Sequence, residues 1–431
     1  MSATHPPQVV VLGAGFAGLT FCQSLRCPAA RVTLVDRQNH HLFQPLLYQV
    51  AAAGLSAPEI AQPIRAVLHD QPNLTVLLAE VTDLQLGPKR VILGRRQLSY
   101  DYLVVALGGV TSYFGHPEWE EFAPGLKSLD DALRLRARIL LAFEQAENAT
   151  DIAEQGRLMT IVVIGGGPTG VELAGAFAEL ARTVLRRDFR RINPAEARIL
   201  LIEGGSRLLP AFSPDLSERA LDQLRKLGVE VRLQQRVRSI TPGRAELESG
   251  EVVSAGNIVW AAGVAGSPVG ARLGVERDRE GRVKVGPDLT VPGHPEVFVL
   301  GDLAVVPGES GRPVPGVCPA AMQMGRYAAQ VIRDEIASPL ASGRRRAPFR
   351  YCDRGSMATI GRSAAVAEIR GLKLSGLPAW LSWLGVHLIF LIGFRNRLAV
   401  LLQWAYSYFT YRRGARLITG AAAERRPSPP T

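Results

Sequence analysis

Two glycine-rich loops do most to limit what this chain can fold into. "VVVLGAGFAGL" begins at Val9 and "TIVVIGGGPTGVELAG" at Thr160. Each runs from a β-rich apolar stretch through G-x-G-x-x-G into a helical stretch. In this pattern the first glycine (Gly13, Gly165) makes the tight turn. The second (Gly15, Gly167) lets the backbone approach a pyrophosphate, and the third (Gly18, Gly170) lets helix and strand pack closely. The helix N-terminus adds amide donors and a positive dipole end. An acid follows each loop at the end of another strand-like run. Asp36 closes "RVTLVD", 18 residues past Gly18, where a carboxylate meets a ribose diol. Glu203 closes "RILLIEGG" later, because "RRDFRRINPAEA" inserts a helix end and a loop. Glu203 suits a free 2′-hydroxyl and repels a 2′-phosphate, which favours NADH over NADPH, although Arg207 nearby softens that preference.

Three further segments fit the same reading. "YDYLVVALGG" (Tyr100–Gly109) and "NIVWAAGV" (Asn257–Val264) are buried-strand runs that end in small residues, so backbone can pass close to a cofactor. "EVFVLGDLA" puts Asp302 at a strand end, placed to bind a flavin's ribityl chain. The expected fold is α/β, with two Rossmann-type dinucleotide-binding domains of the two-dinucleotide flavoprotein kind. FAD is held on the first loop and NADH visits the second. Many such proteins pass electrons to a cysteine pair. Cys22 and Cys27 are expected inside the helix after the first loop, where residues five apart point about 140° from each other and no disulfide forms. Cys318 and Cys352 stand alone, and no metal-ligand spacing occurs. Reduced flavin must then hand its electrons to an external acceptor.

The charge is uneven. The chain carries +11 overall, yet from Arg344 onward fifteen Lys/Arg face three acids (Asp353, Glu368, Glu424), leaving a body near neutrality. A basic tail points to nucleic acid or an anionic membrane surface. Here the basic residues interleave with long aliphatic runs, which disfavours nucleic acid. "LSGLPAWLSWLGVHLIFLIGF" (Leu374–Phe394) holds 21 residues without a charge. Pro378 is expected to break the helix near its start. Ala379–Phe394 then spans about 24 Å, short of a ~30 Å hydrocarbon core. "RNR" separates it from "LAVLLQWAYSYFTY" (Leu398–Tyr411), and Asn396 of "RNR" falls on one helical face with Gln403, Ser407 and Thr410. Trp380, Trp383, Trp404 and three tyrosines suit the headgroup level. Two helices lying in a membrane interface are expected; a dimerisation or core-covering pair is the alternative. "MSATHPP" is too short for a leader, so the chain is expected to start near Met1 in a reducing compartment.

These motifs, with "HHLFQPLLYQVA" (His40–Ala51), "AMQMGRYAA" (Ala321–Ala329) and "IGFRNR…RRGARLI", resemble the type II (alternative, non-pumping) NADH dehydrogenases, NADH:quinone oxidoreductases, from Val9 to about Gly420. The resemblance implies a dimeric, single-subunit enzyme with FAD, NADH and quinone. It implies a monotopic protein on the cytoplasmic face of a prokaryotic inner or plasma membrane. The expected domains are 1–120 and 286–348 for FAD, 121–157 as a helical connector, 158–285 for NADH, and 349–431 for the membrane. Candidate cofactor-binding residues are Gly13, Gly15, Phe16, Ala17, Gly18, Asp36, Arg37, Gln44, Val81, Ala106, Gly108, Asp302, Ala321, Gly165, Gly167, Pro168, Thr169, Gly170, Glu203, Ala262 and Gly263. Glu172, expected two residues into the second loop's helix, matches a proton-handling or nicotinamide-contacting glutamate; a dipole-stabilising carboxylate is the plainer reading. Gln323 matches a quinone-site glutamine, or satisfies backbone. "CPAAMQ" departs from the family's A-Q-x-x-x-Q, with Cys318-Pro319 in place of Ala-Gln. Tyr48 and His387 are further candidates for the quinone path. A soluble NADH-dependent reductase of the ferredoxin or rubredoxin kind would share the cofactors but lack the tail. A redox-sensing NADH-binding flavoprotein would reduce quinone very slowly.

Overall fold

Each glycine loop joins a fully buried parallel strand to a helix, as the apolar runs before them require. The computed structural model describes residues 5–308, 311–338, 346–410 and 415–418. The chain divides into two compact units.

The first unit falls within Met1–Leu42, Ala61–Val110 and Val264–Arg354. Its centre is a six-stranded sheet in the order Thr290–Val291, His294–Val299, Tyr102–Val105, Gln8–Leu12, Arg31–Asp36, Leu74–Leu78. All neighbours run parallel except at the Thr290–Val291 edge. Parallel strands are covered on both faces, which is why "VVVL" and "YLVV" read as unbroken apolar runs rather than alternating ones. Helices Phe16–Leu25 and Cys318–Ala337 pack against each other. The first of these stops at Arg26, whose φ of 35° is left-handed. Cys27 therefore lies beyond the helix, not inside it as the sequence suggested. Cys22 and Cys27 are both buried and free.

The second unit falls within Phe43–Ile60, Thr111–Gly263 and Gly355–Thr431. Its four-stranded parallel sheet has the order Glu230–Arg232, Arg198–Ile202, Thr160–Ile164, Asn257–Trp260. In chain order this is 3-2-1-4, so the loop after Thr160–Ile164 sits at a topological switch point. The Leu129–Asn148 helix opens with a capping box between Ser128 and Asp131. An antiparallel meander, Ser356–Gly361, Ala364–Ile369 and Leu372–Ser375, follows. It packs on the Pro168–Glu179 helix at Gly175, where a Cβ would stand 1.7 Å from the carbonyl oxygen of Ile360.

The last two helices differ from expectation in two ways. Pro378 lies in the first turn of Leu377–Phe390, where its missing N–H is not needed, so it starts the helix instead of breaking it. The second helix is Phe394–Thr410, so Arg395 and Arg397 lie inside it rather than between the two. Its polar line faces the protein except at Thr410, which is exposed. Asn396 is buried and donates to the carbonyls of Pro58 and Glu59, both at 3.1 Å, and Gln403 and Ser407 are half-buried. Apolar residues face outward instead: Leu381, Ile389 and Phe390 on the first helix, Leu398, Leu402, Tyr406 and Phe409 on the second. Among the described residues no helix is long and apolar enough to cross a membrane.

Candidate functional site

The first loop shows why its glycines are needed. Gly13 has φ +95°, and a Cβ there would stand 2.4 Å from the carbonyl oxygen of Ala106. At Gly18 a Cβ would come within 1.9 Å of the carbonyl oxygen of Gly13. At Gly15, the helix N-cap, nothing lies within 4 Å. The outer glycines are thus demanded by the protein and the middle one by open space, a cradle that fits a pyrophosphate. Ala14 between them is held at both polar atoms. Its N–H donates to Asp36 Oδ2 at 2.6 Å, and its carbonyl pairs with His41 Nδ1 at 2.8 Å. Asp36 Oδ1 accepts the N–H of Gln38 at 2.7 Å.

His41 was not singled out from sequence; its only signal was a histidine pair just past Asp36. It is buried, edge-on to Phe16 at 5.1 Å, and its Nε2 has no partner. Burial pushes its pKa down, against smaller opposing effects of the Ala14 carbonyl and Asp36. The ring is therefore neutral, with its proton on Nδ1.

The remaining first-unit candidates gather at the C-terminal ends of the parallel strands. Ala106 and Gly108 follow Tyr102–Val105, and Asp302 lies in the short turn after His294–Val299. Ala17, Val81 and Ala321 are buried, and Arg37 is exposed beside Asp36. Gln44 belongs to the second unit, where its amide donates to the Lys127 carbonyl at 3.1 Å.

The second loop repeats the geometry. Gly165 has φ +111°, and a Cβ there would meet the Ala261 carbonyl at 2.8 Å. A Cβ at Gly170 would lie 1.8 Å from the Gly165 oxygen, whereas Gly167 has nothing within 4 Å. Pro168 and Thr169 open the helix and are exposed. Glu203 Oε2 accepts the N–H of Gly166 at 2.5 Å, and Oε1 that of Gly205 at 2.6 Å. The Gly166 carbonyl is held by the Leu209 N–H at 2.8 Å, a main-chain donor in place of a histidine. Ala262 and Gly263 follow the neighbouring strand, with Phe114 packed beside Gly263. Arg207 is turned to the Pro210 carbonyl at 2.9 Å. The cation along the loop is Arg236, whose stem would lie 3.1 Å from a Cβ on Gly204; the sequence reading missed it.

Glu172 is the fifth residue of the Pro168–Glu179 helix and not in its first turn, so it is not a helix-end carboxylate. Burial holds its carboxyl well above the usual range, offset in part by the donated N–H of Thr359. Gln323 exchanges two bonds with the main chain of Cys352: Nε2 donates to the carbonyl at 2.9 Å, and Oε1 accepts the N–H at 2.9 Å. Cys318 and Pro319 occupy the first two positions of the same helix.

Tyr48 and His387 join one aromatic cluster in the second unit. Gln49 Nε2 donates to the Tyr48 hydroxyl at 2.9 Å, while Gln49 Oε1 accepts from Trp404 Nε1 at 2.8 Å. Trp404 lies 5.5 Å from Trp383, on which His387 stacks at 4.2 Å. His387 Nδ1 pairs with the Trp383 carbonyl at 2.7 Å, and burial pushes its pKa down to about 4. Among the described residues no group of three or more His, Cys, Asp or Glu is placed to hold a metal.

A parallel sheet with a glycine cradle and a strand-end acid, built twice in one chain, defines a two-dinucleotide oxidoreductase. Residues 7–325 match the pyridine nucleotide-disulphide oxidoreductase family, and residues 354–413 the NDH2 C-terminal domain. The chain is 44% identical over 434 residues to the type II NADH:quinone oxidoreductase Ndh of Mycobacterium tuberculosis, covering 97% of this chain and 92% of that protein. It is 45% identical over 425 residues to NdhA of the same organism, covering 96% and 89%. The solved structure of NDH2 from Plasmodium falciparum in complex with NADH superposes with a TM-score of 0.87 at 21% identity, over 96% of this chain and 100% of that one. The chain belongs to the pyridine nucleotide-disulphide oxidoreductase family and, within it, to the type II NADH:quinone oxidoreductases.

Proposed function

We infer that this chain transfers two electrons from NADH through FAD to a quinone, without proton pumping. The observation that carries this is the doubled loop geometry in a chain 44% identical, nearly end to end, to a type II NADH:quinone oxidoreductase. When bound, FAD supplies the redox chemistry. The chain's residues supply position and proton handling. Gly13–Gly18 and Asp36 cradle FAD, with Asp302 toward its ribityl chain. Gly165–Gly170 and Glu203 hold NADH. Glu172, whose carboxyl burial raises well above the usual range, is the group placed to supply a proton for quinone reduction. The Tyr48–Gln49–Trp404–Trp383–His387 cluster offers the flat, mostly apolar lining that suits a quinone ring. Gln323 holds the main chain of Cys352 in place.

The outward apolar faces of Leu377–Phe390 and Phe394–Thr410 support monotopic anchoring, with lipid taking the apolar side. A soluble reductase has no use for such faces. Residence on the cytoplasmic face of a prokaryotic membrane and a homodimeric state follow from the family resemblance. The test is anaerobic stopped-flow: purified protein is reduced by NADH, then mixed with a short-chain quinone. Fast flavin reduction followed by fast reoxidation is expected. Reduced flavin that persists against quinone overturns the reading in favour of a sensor.

A further inference from the structure

The sheet order of the second unit fixes how a dinucleotide lies across it. Glu203 ends one neighbour of the glycine strand, and Ala261–Gly263 end the other. With the adenosine ribose at Glu203 and the pyrophosphate over Gly165–Gly170, the nicotinamide half continues toward Gly263.

Phe114 stands there. Its ring tip would lie 2.6 Å from a Cβ on Gly263, so the absence of a side chain at 263 is what admits the ring. Phe114 has φ +51°, a left-handed backbone that a bulky residue adopts only where its surroundings hold it. They do so here. The Ser112 N–H donates to the Gly263 carbonyl at 3.3 Å, and Trp260 Nε1 donates to the Ser112 carbonyl at 2.8 Å. The Trp260 ring lies 6.1 Å from Phe114. Yet Phe114 itself is 65% exposed. A strained backbone that presents an uncovered aromatic ring at the end of the nucleotide path marks a ring meant for something arriving from solution.

We propose that Phe114 is a wall of the nicotinamide pocket, packing its ring against the nicotinamide–ribose half of the nucleotide above Gly263. This rests on reading the second loop as the NADH site. An aromatic face attracts a flat heterocycle, and more so the cationic ring of NAD⁺. Phe114 therefore acts on the nicotinamide end and leaves the adenosine end alone.

The test compares NAD⁺ with ADP-ribose, which lacks the nicotinamide, by calorimetry on FAD-loaded full-length protein. In Phe114→Ala the Kd for NAD⁺ rises about tenfold, the size expected of one lost base–aromatic stack. The Kd for ADP-ribose stays put, and Phe114→Tyr restores NAD⁺ binding. Equal weakening of both ligands, or no change in either, overturns the proposal and leaves Phe114 as a loop residue only. Failure of ADP-ribose to bind even the wild-type protein overturns the NADH-site reading and the proposal with it. Phe114→Leu, which keeps the bulk, gives the same comparison if the alanine chain folds poorly.

Discussion

Glu203 Oε2 accepts the N–H of Gly166 at 2.5 Å, and its other oxygen takes the N–H of Gly205 at 2.6 Å. The carboxylate proposed to face the ribose thus also ties down the loop proposed to hold the pyrophosphate. Glu203→Gln sets an NH₂ group against one of these donors while removing the charge that repels a 2′-phosphate. Charge-assisted hydrogen bonds contribute about 1.5–3 kcal/mol, so KM for NADH rises by roughly tenfold or more. The ratio of kcat/KM for NADH over NADPH falls, helped by Arg236 along Gly204. Steady-state kinetics with both nucleotides checks this, and an unchanged ratio assigns the preference to another group.

His41 gives the first loop its counterpart. His41→Ala frees the Ala14 carbonyl and opens a void beside Phe16, so FAD dissociates faster and the purified protein carries less of it. The pH dependence has a defined sign. His41 titrates below its ordinary 6.5 in the folded protein, so the stability it contributes is present above pH 6.5 and is lost as pH falls through the lowered value. Protonation would put a second N–H where Nε2 has no acceptor. FAD retention measured by fluorescence should drop below pH 6.5 in wild type, and His41→Ala should retain less at every pH with a flatter profile.

How much of this was legible in the sequence follows from the range of the interactions. The loops and their strands rest on spacings of a few residues around an unbroken Val/Ile/Leu run, and Asp36 and Glu203 were found because each closes the next such run. Local sterics dictate them: at Gly18 any side chain collides with the Gly13 oxygen. His41, Arg236 and Phe114 are recognisable only once the sheet brings distant segments together, since His41 meets Ala14 across 27 positions. The two apolar helices of the tail were legible, but which of their faces meets the protein was not. Nothing nearby in sequence announces the Pro58 and Glu59 carbonyls that Asn396 satisfies. The extent of the first helix was overread at Cys27, because Arg26 carries no glycine signal for the left-handed cap it adopts.

Glu172 sets a pH-dependent test of its own. Its carboxyl is raised in the folded protein relative to 4.5. The stability it contributes is then full below pH 4.5 and lost as pH rises through the folded value. Glu172→Gln keeps the shape and removes the titration, so Tm of the variant should exceed that of wild type increasingly as pH rises. If Glu172 also passes protons, the variant keeps its FAD and its rate of reduction by NADH. Quinone reduction slows by about a hundredfold or more, from the lower end of the ~10²–10⁴-fold that proton transfer contributes upward, and loses the pH dependence that Glu172 confers. A wild-type quinone step at every pH leaves only the stability role.

The outward faces of the last two helices give the proposed membrane anchoring a direct test. Cutting the chain before Leu374 is a poor test, because it severs the Leu372–Ser375 strand and uncovers Ala365 and Ala367, both fully buried beneath Ala379. Substitution on the exposed face avoids this. Leu402 is 60% exposed and Phe409 is 79% exposed, so Leu402→Asp and Phe409→Asp leave the fold intact. Each removes an apolar side chain whose burial in lipid is worth about 1.5–3 kcal/mol, and each adds a negative charge that anionic headgroups repel. Flotation with vesicles of mixed anionic and neutral lipid should show partitioning reduced about tenfold or more for each variant. The double variant should remain in the soluble fraction and still be reduced by NADH. Raising salt should weaken wild-type binding only in part, since the aliphatic contact is not screened. Undiminished vesicle binding by the double variant would mean that these helices cover a protein partner instead of lipid.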